Sequence, residues 1–234
     1  MTKFTFAQAE EGFDSHIDQS VRGYSNLWND VLKFSEYFVE DGCSVVDIGC
    51  STGKLLKAMK TQNDVFAPQV GYRGIEIEED FFDELEDEKN LKFYKSDVRG
   101  FEWVTGAVNN CFTTSIFSLQ FMPKRNRQII VERVYESLVK GGAFIFAEKI
   151  HSEHSQVQEM MQFCYYDYKR QFYSAEELLD KEINLGMSMH AVEIIMGVPN
   201  TIVLENGYEL WVYEIEESIS TYFFKNYFLM KIDK

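Results

Sequence analysis

The chain has 234 residues, 45% of them apolar, 15% aromatic and 26% charged, enough to build a packed core and unlike a disordered or collagen-like chain. It contains no continuous apolar run of the roughly 18 residues a membrane span needs. The net charge of −15 repels phosphate backbones at long range, so direct nucleic-acid binding is not expected.

The length suits a main domain with an appendage. Residues 1–14 lack the basic start and apolar stretch of a secretory signal. The 4 cysteines, Cys43, Cys50, Cys111 and Cys164, are widely spaced without a C-x-x-C pair. This argues against a zinc site or a disulfide framework and for a reducing cytoplasm. Lys124, Arg125 and Arg127 form the best candidate for a local basic patch, although a solvated helix start is the favoured reading of the three.

In residues 24–38, Leu27, Val31, Phe34 and Phe38 fall on one helical face. Asp41-Gly42 breaks that helix. Residues 43–48 are apolar and β-branched, closed by a glycine turn, and read as a buried strand. A helix is predicted over 54–60, a strand over 70–77, an acidic helix over 78–88, and strands over 91–96 and 111–118. The helix predicted over 125–139 carries Ile129, Ile130, Val134, Leu138 and Val139 on its apolar face. Gly141-Gly142 ends it, and 143–147 form a fifth strand. Alternating strands and helices with nearly continuous apolar strands predict an α/β fold, doubly wound around a mostly parallel sheet. Residues 152–180 are helical in pattern and rich in Met and aromatics, as a core segment or a lid would be.

Beyond them come a short helix ending near 196 and two strands, 208–215 and about 221–232. The predicted division is residues 1–180 as a cofactor-binding domain and 181–234 as a C-terminal helix and β-hairpin. The hairpin either completes the sheet as its sixth and seventh strands, which is the favoured reading, or forms a small appended module.

The informative stretch runs from Asp47 to Gly53, Asp-Ile-Gly-Cys-Ser-Thr-Gly. Open parallel sheets bind ligands at the carboxyl ends of their strands, beside the switch point. The glycine spacing differs from the G-x-G-x-x-G dinucleotide pattern. Gly53-Lys54 is followed by Leu55, which cannot hold magnesium as a phosphate loop requires. Glu76 ends the second strand, where a carboxylate can accept from both ribose hydroxyls. Asp97 follows the third, where it can accept from an adenine amino group while Val98 offers its backbone. Taken singly, each acid reads equally well as a helix cap or a solvated turn. Together, at three successive strand ends, they point to an adenosine site that is not built around phosphates.

These features resemble the class I S-adenosylmethionine-dependent methyltransferases, which share a Rossmann-like sheet. The likeness is closer to the carboxy-S-adenosylmethionine synthase family of bacterial tRNA wobble-uridine modification. It is carried by Ser20-Val21-Arg22-Gly23-Tyr24-Ser25-Asn26, Asp47-Ile48-Gly49-Cys50-Ser51, Ser118-Leu119-Gln120-Phe121, Gly141-Gly142-Ala143, Glu148-Lys149, and Tyr166-Asp167-Tyr168-Lys169-Arg170 through Tyr173-Ser174. It covers roughly residues 13–175. The resemblance implies that Tyr24, Gly49, Glu76, Asp97 and Val98 contact S-adenosyl-L-methionine or its carboxylated derivative, with Asp47, Cys50, Ser51, Ile77 and Ile116 completing the expected cofactor set. It also implies a homodimer contact near residues 160–173.

Two departures matter. The family holds the extra carboxylate of its product with an arginine, but the same offset here reads Asp180-Lys181-Glu182, and no arginine follows Arg170. Glu182 would repel a carboxylate, and Lys181 offers a point charge in place of a bidentate fork. Ile116 stands where the family has asparagine. The cofactor site looks retained and the carboxylate site lost. In the tail, Gly186-Met187-Ser188, Gly197-Val198-Pro199 and Trp211-Val212-Tyr213 resemble the small protein A outer-membrane-assembly lipoproteins.

The expected function is methyl transfer from S-adenosylmethionine to an unidentified acceptor. The alternatives are a carboxy-S-adenosylmethionine synthase-like enzyme, with carboxylate recognition rebuilt from Lys181, Lys169 or Arg170, and a catalytically silent interaction protein. No catalytic base is assigned, Tyr173 and His154 being guesses. No metal is expected: the pair His151 and His154 is too few ligands for a site, and Cys50 reads as a small buried residue.

Overall fold

The computed structural model describes residues 12–83, 85–103 and 109–172, and beyond them the backbone of four strands at 187–188, 201–205, 208–215 and 219–224. In chain order the main elements are α1 (Phe13–Ser20), α2 (Tyr24–Phe38), β1 (Cys43–Ile48), α3 (Lys54–Asn63), β2 (Gly71–Glu76), β3 (Leu91–Lys95), β4 (Asn109–Ile116), α4 (Lys124–Ser137), β5 (Leu138–Ala147), β6 (Ile150–His151) and α5 (Ser155–Lys169). After these come β7 (Met187–Ser188), β8 (Thr201–Glu205), β9 (Tyr208–Ile215) and β10 (Ile219–Phe224).

Strands β1 to β5 form one parallel sheet in the order β3-β2-β1-β4-β5. The chain winds outward from β1 to β3, then returns to the other side of β1 for β4, so the switch point lies between β1 and β4. Every residue of β1 is buried because both of its faces are covered. On one face Leu27 and Val31 of α2 and Leu55, Leu56 and Met59 of α3 pack on Val45, Tyr72 and Phe112. On the other, Ile130 and Val134 of α4 pack on Val46, Ile48, Phe144 and Phe146. The doubly wound α/β expectation is met, and α1 and α2 supply the helical N-terminal cover.

Several boundaries differ from expectation. The acidic helix over 78–88 is reduced to a 3-10 segment at Glu79–Asp83. Like charges at Glu79/Asp83 and Asp83/Asp87 sit one helical turn apart and repel, and the Asp87 carboxylate is used instead to accept from Phe93 N–H at 2.9 Å. Helix α4 stops at Ser137, not 139. The Ser137 hydroxyl turns back to the Val134 carbonyl at 2.7 Å, accepts from the Asn110 amide at 2.9 Å, and Leu138 opposite Asn110 opens β5. On α4, Ile130 is buried but Ile129 is 46% exposed, so the apolar stripe is narrower than the pattern suggested.

Cys43 and Cys111 form a disulfide, Cα to Cα 5.8 Å, against the expectation drawn from the cysteine spacing. They are 68 residues apart in the chain, but β4 lies beside β1, and Cys111 falls at the register slip between them. Cys50 and Cys164 are free. The basic-patch candidate is also corrected: Lys124 and Arg125 are exposed, but Arg127 is buried.

In the C-terminal segment the predicted hairpin is present as β9 and β10, and β8 joins it. Among the described residues these strands form an antiparallel sheet of their own, order β10-β9-β8, separate from the five-stranded sheet. Among the described residues the pairing is that of a separate sheet, in place of the favoured sheet-completing arrangement. The short helix predicted before residue 196 lies outside the described residues.

Candidate functional site

The strand ends of β3, β2, β1 and β4 stand side by side, and the turn after β1 sits at their centre. Gly49 takes φ +70°, and a Cβ there would collide with the side chain of Ser118 from the loop after β4. Gly53, at φ +72°, lies where a Cβ would strike the Phe93 ring and Leu85. Both positions need glycine, for backbone angle and for space. The turn is tied to β2 through Gly49 N–H and Cys50 N–H, which donate to the Ile75 carbonyl at 2.8 and 3.2 Å.

Glu76 is 7% exposed. Its Oε2 accepts from Ser51 N–H at 2.9 Å, and its Oε1 accepts from Ile77 N–H at 2.8 Å and Glu78 N–H at 2.9 Å. A carboxylate offers about four acceptor positions, so Oε2 keeps room for a further donor. Ile77 beside it is 65% exposed, an apolar side chain next to the carboxylate. Asp97 is held by the guanidinium of its neighbour Arg99, whose Nε lies 2.9 Å from both carboxylate oxygens. The hydrogen bonds from Arg99 hold Asp97 below the usual carboxylate range. Val98 is buried in the core beneath this turn.

Asp47 is buried, and its Oδ1 accepts from the Thr114 hydroxyl on β4 at 2.7 Å. Burial pushes its carboxyl up to about 7, with Glu76 adding to the rise and Thr114 opposing it. Cys50 is buried and its thiol is pushed well up by the same loss of water, so it is no nucleophile. Ile116 ends β4 and packs against the core on the α2 and α3 face. Tyr24 opens α2, and its ring lies 6.3 Å from that of Phe117. Burial, with Asp47, Asp14 and Asp18 nearby, raises its hydroxyl so that it stays a neutral donor. Two aromatic rings among three carboxylates suit a cationic group.

Helix α1 closes this side. Asp14 accepts from the Thr52 hydroxyl at 3.2 Å and faces Lys54 at 3.8 Å, and Phe13 meets Phe81 edge-to-face at 5.1 Å. The structure thus brings Tyr24, Asp47, Gly49, Cys50, Ser51, Glu76 and Ile77 around one turn, with Asp97 and Val98 at the next strand end. Ser51 contributes through its backbone at φ +49°.

Other expected residues stand apart or are not described. His154 is exposed at the start of α5, where its backbone N–H donates to the Ser152 hydroxyl at 3.2 Å. No group of three or more metal-binding side chains occurs among the described residues. Arg170 is exposed and paired with Asp167 at 2.9 Å. Lys169 is buried, with its ammonium 4.5 Å from the centre of the Tyr165 ring, and Lys149 lies 5.1 Å from the same ring. Tyr173, Lys181 and Glu182 lie outside the described residues.

Residue-by-residue reading missed Asp14, Phe117 and Glu148, and took Arg127 only as part of a basic surface run. Ser118 and Glu148 were visible only as members of family motifs, because their partners come from other elements.

No protein-family profile matches the chain. The carboxy-S-adenosyl-L-methionine synthase of Staphylococcus epidermidis is 34% identical over 170 residues, 71% of each chain. The enzyme of the same name from Histophilus somni is 27% identical over 199 residues, 82% of this chain and 80% of its own. Among solved structures, the plantazolicin methyltransferase BpumL in complex with SAH matches with a TM-score of 0.55 at 16% identity. That match covers 78% of this chain but only 66% of BpumL, and it shows a shared fold. The tail's likeness to small protein A finds no support in these relatives.

Proposed function

The chain belongs to the carboxy-S-adenosyl-L-methionine synthase family, and from that premise we propose that it binds S-adenosyl-L-methionine across the ends of β1, β2 and β3 and directs methyl transfer to an acceptor. The observation that carries this reading is the turn Gly49–Ser51 pinned to a buried Glu76, with Ile77 exposed beside it. Glu76 Oε2 takes a ribose hydroxyl, Ile77 covers a face of the adenine, and Asp97 with the Val98 backbone meets its polar edge. Tyr24 and Phe117 stand toward the cationic end, with Asp47 behind them. When bound, the cofactor supplies a methyl group already activated by a sulfonium, so the protein's task is alignment.

Residues 1–180 form the cofactor-binding unit in this proposal and 181–234 a small appended module. A homodimer is part of it, tested by light scattering at micromolar concentration, whereas the expected cytoplasmic location loses its cysteine argument to the Cys43–Cys111 disulfide. The unknown acceptor includes tRNA-linked chemistry through the family, although the acidic surface opposes direct nucleic-acid binding.

A second reading, a carboxy-S-adenosyl-L-methionine synthase proper, is favoured by the 34% identity. The Asp180-Lys181-Glu182 segment opposes it, since burying a carboxylate without a cation costs several kcal/mol. Incubation with S-adenosylmethionine and prephenate, followed by mass spectrometry, separates the two. The expected result is no carboxylated cofactor; a mass gain of one carboxylate promotes the second reading. A silent interaction protein is disfavoured by the intact set of three acids.

A further inference from the structure

The loop after β4 is held in an unusual way. Phe117 sits at φ +55°, a left-handed backbone that a bulky aromatic residue adopts only when its surroundings enforce it. The backbone that follows is gripped by two buried ionisable side chains from different elements. Glu148, directly after β5 and 1% exposed, accepts from Leu119 N–H at 2.7 Å and Gln120 N–H at 3.0 Å. Arg127 of α4, 5% exposed, donates through Nη2 to the Gln120 carbonyl at 2.8 Å and through Nε to the Met122 carbonyl at 3.0 Å. Four backbone groups of a short segment are thus satisfied by one acid and one base. The Gln120 side chain closes back on the Phe117 carbonyl at 3.2 Å.

What this loop touches gives the grip its meaning. Ser118 lies against Gly49, its hydroxyl 3.5 Å from the Gly49 carbonyl, and Phe117 faces Tyr24. The loop is the wall of the site on the side away from Glu76 and Asp97. Glu148 and Arg127 are both buried, and their hydrogen bonds run to the backbone of residues 119–122.

We infer that Glu148 and Arg127 are positioning residues, a buried clasp that sets Phe117 and Ser118 at the sulfonium end of the site while leaving the adenosine end untouched. This rests on the proposed placement of adenosine at Glu76 and Asp97. Alanine at either position would strand buried backbone N–H or carbonyl groups without partners, which is costly, so alanine variants risk misfolding. Glu148→Gln keeps the shape but turns one acceptor into a donor facing an N–H. Arg127→Lys keeps the charge but cannot serve both carbonyls.

The test compares two probes, S-adenosylmethionine by calorimetry and adenosine by displacement against it, in the wild type, Glu148→Gln and Arg127→Lys, each first shown to unfold cooperatively. Both variants should weaken S-adenosylmethionine at least three-fold and leave adenosine within about two-fold of wild type, because only the longer ligand reaches the loop. Hydrogen exchange at the Leu119 and Gln120 amides should rise at least ten-fold in Glu148→Gln, with β1 amides unchanged. If the wild type binds neither probe, the proposed cofactor is wrong. If the wild type binds but both probes weaken equally, or neither does, or the two amides stay protected, the clasp is refuted while the cofactor reading stands.

Discussion

Two buried glutamates stand on opposite sides of the switch point, and each ties its own strand end to the loop of the neighbour nearer the centre. Glu76 at the end of β2 holds the turn after β1, and Glu148 after β5 holds the loop after β4. The difference lies in what stands around them. Glu76 has exposed Ile77 beside it and an acceptor position left on Oε2. Glu148 has Arg127 nearby, and burial pushes its carboxyl up to about 8. The same device serves recognition on one side and support on the other, depending on whether the carboxylate borders the cleft or is sealed from it.

Breaking the junction between the two sides should have the largest effect. Gly49 links them, since it carries the β1 turn and abuts Ser118. Gly49→Ala adds a left-handed penalty to an overpacked contact and should cost on the order of 2–5 kcal/mol of stability by urea unfolding. A loss below 1 kcal/mol would mean that the turn has slack and the two sides are not coupled through it.

Removing the recognition glutamate comes next. Glu76→Ala should weaken S-adenosylmethionine binding by about 1.5–3 kcal/mol, the range for hydrogen bonds to a charged group. Calorimetry with unchanged affinity would take Glu76 out of the site. Thermal unfolding of the same variant shows how much of the loss comes from releasing the Ser51 turn.

The support side is sharpened by pH. Folded Glu148 keeps its proton to about 8, whereas an exposed glutamate releases it near 4.5. Between those values the folded state binds the extra proton, so this group's contribution to stability falls as pH rises and levels off above about 8. Asp47 acts in the same sense up to about 7. Wild type should therefore lose stability relative to Glu148→Gln and Asp47→Asn between pH 5 and pH 8, as read by denaturant melts. A parallel pair of stability curves would show that neither group titrates on unfolding.

The smallest effect is expected at Asp97. Its carboxylate is already occupied by Arg99, so a ligand amino group gains less there. Asp97→Ala should cost under about 1.5 kcal/mol of cofactor affinity, and a larger loss in calorimetry would rank it with Glu76.

The sheet was legible because buried parallel strands announce themselves. Val45, Val46 and Ile48 and the run from Ala143 to Ala147 place apolar side chains on both faces, and a glycine turn follows the first of them. Asp47, Gly49 and Glu76 were legible for the same reason, as polar or glycine residues where an apolar strand ends. What stayed hidden depends on partners distant in the chain. Cys43 meets Cys111 only because β4 docks beside β1, and Arg127, which looks like part of a basic surface run, turns inward toward Gln120 and Met122. The helix expected over 78–88 failed on electrostatics that an apolar count ignores. The Gly141-Gly142 pair looked like a helix stop, but it lies within β5, after the helix has ended at Ser137.

The most direct measurement is mass spectrometry of the nucleoside that co-purifies with the wild-type protein, paired with calorimetric titration of the stripped protein. The expected ligand is S-adenosyl-L-methionine or its demethylated product, and the stripped protein should bind S-adenosyl-L-methionine more tightly than the carboxylated form. A co-purifying carboxylated cofactor that also binds more tightly would contradict the methyl-transfer reading, and no adenosine-containing ligand with no heat of binding would contradict the cofactor site itself.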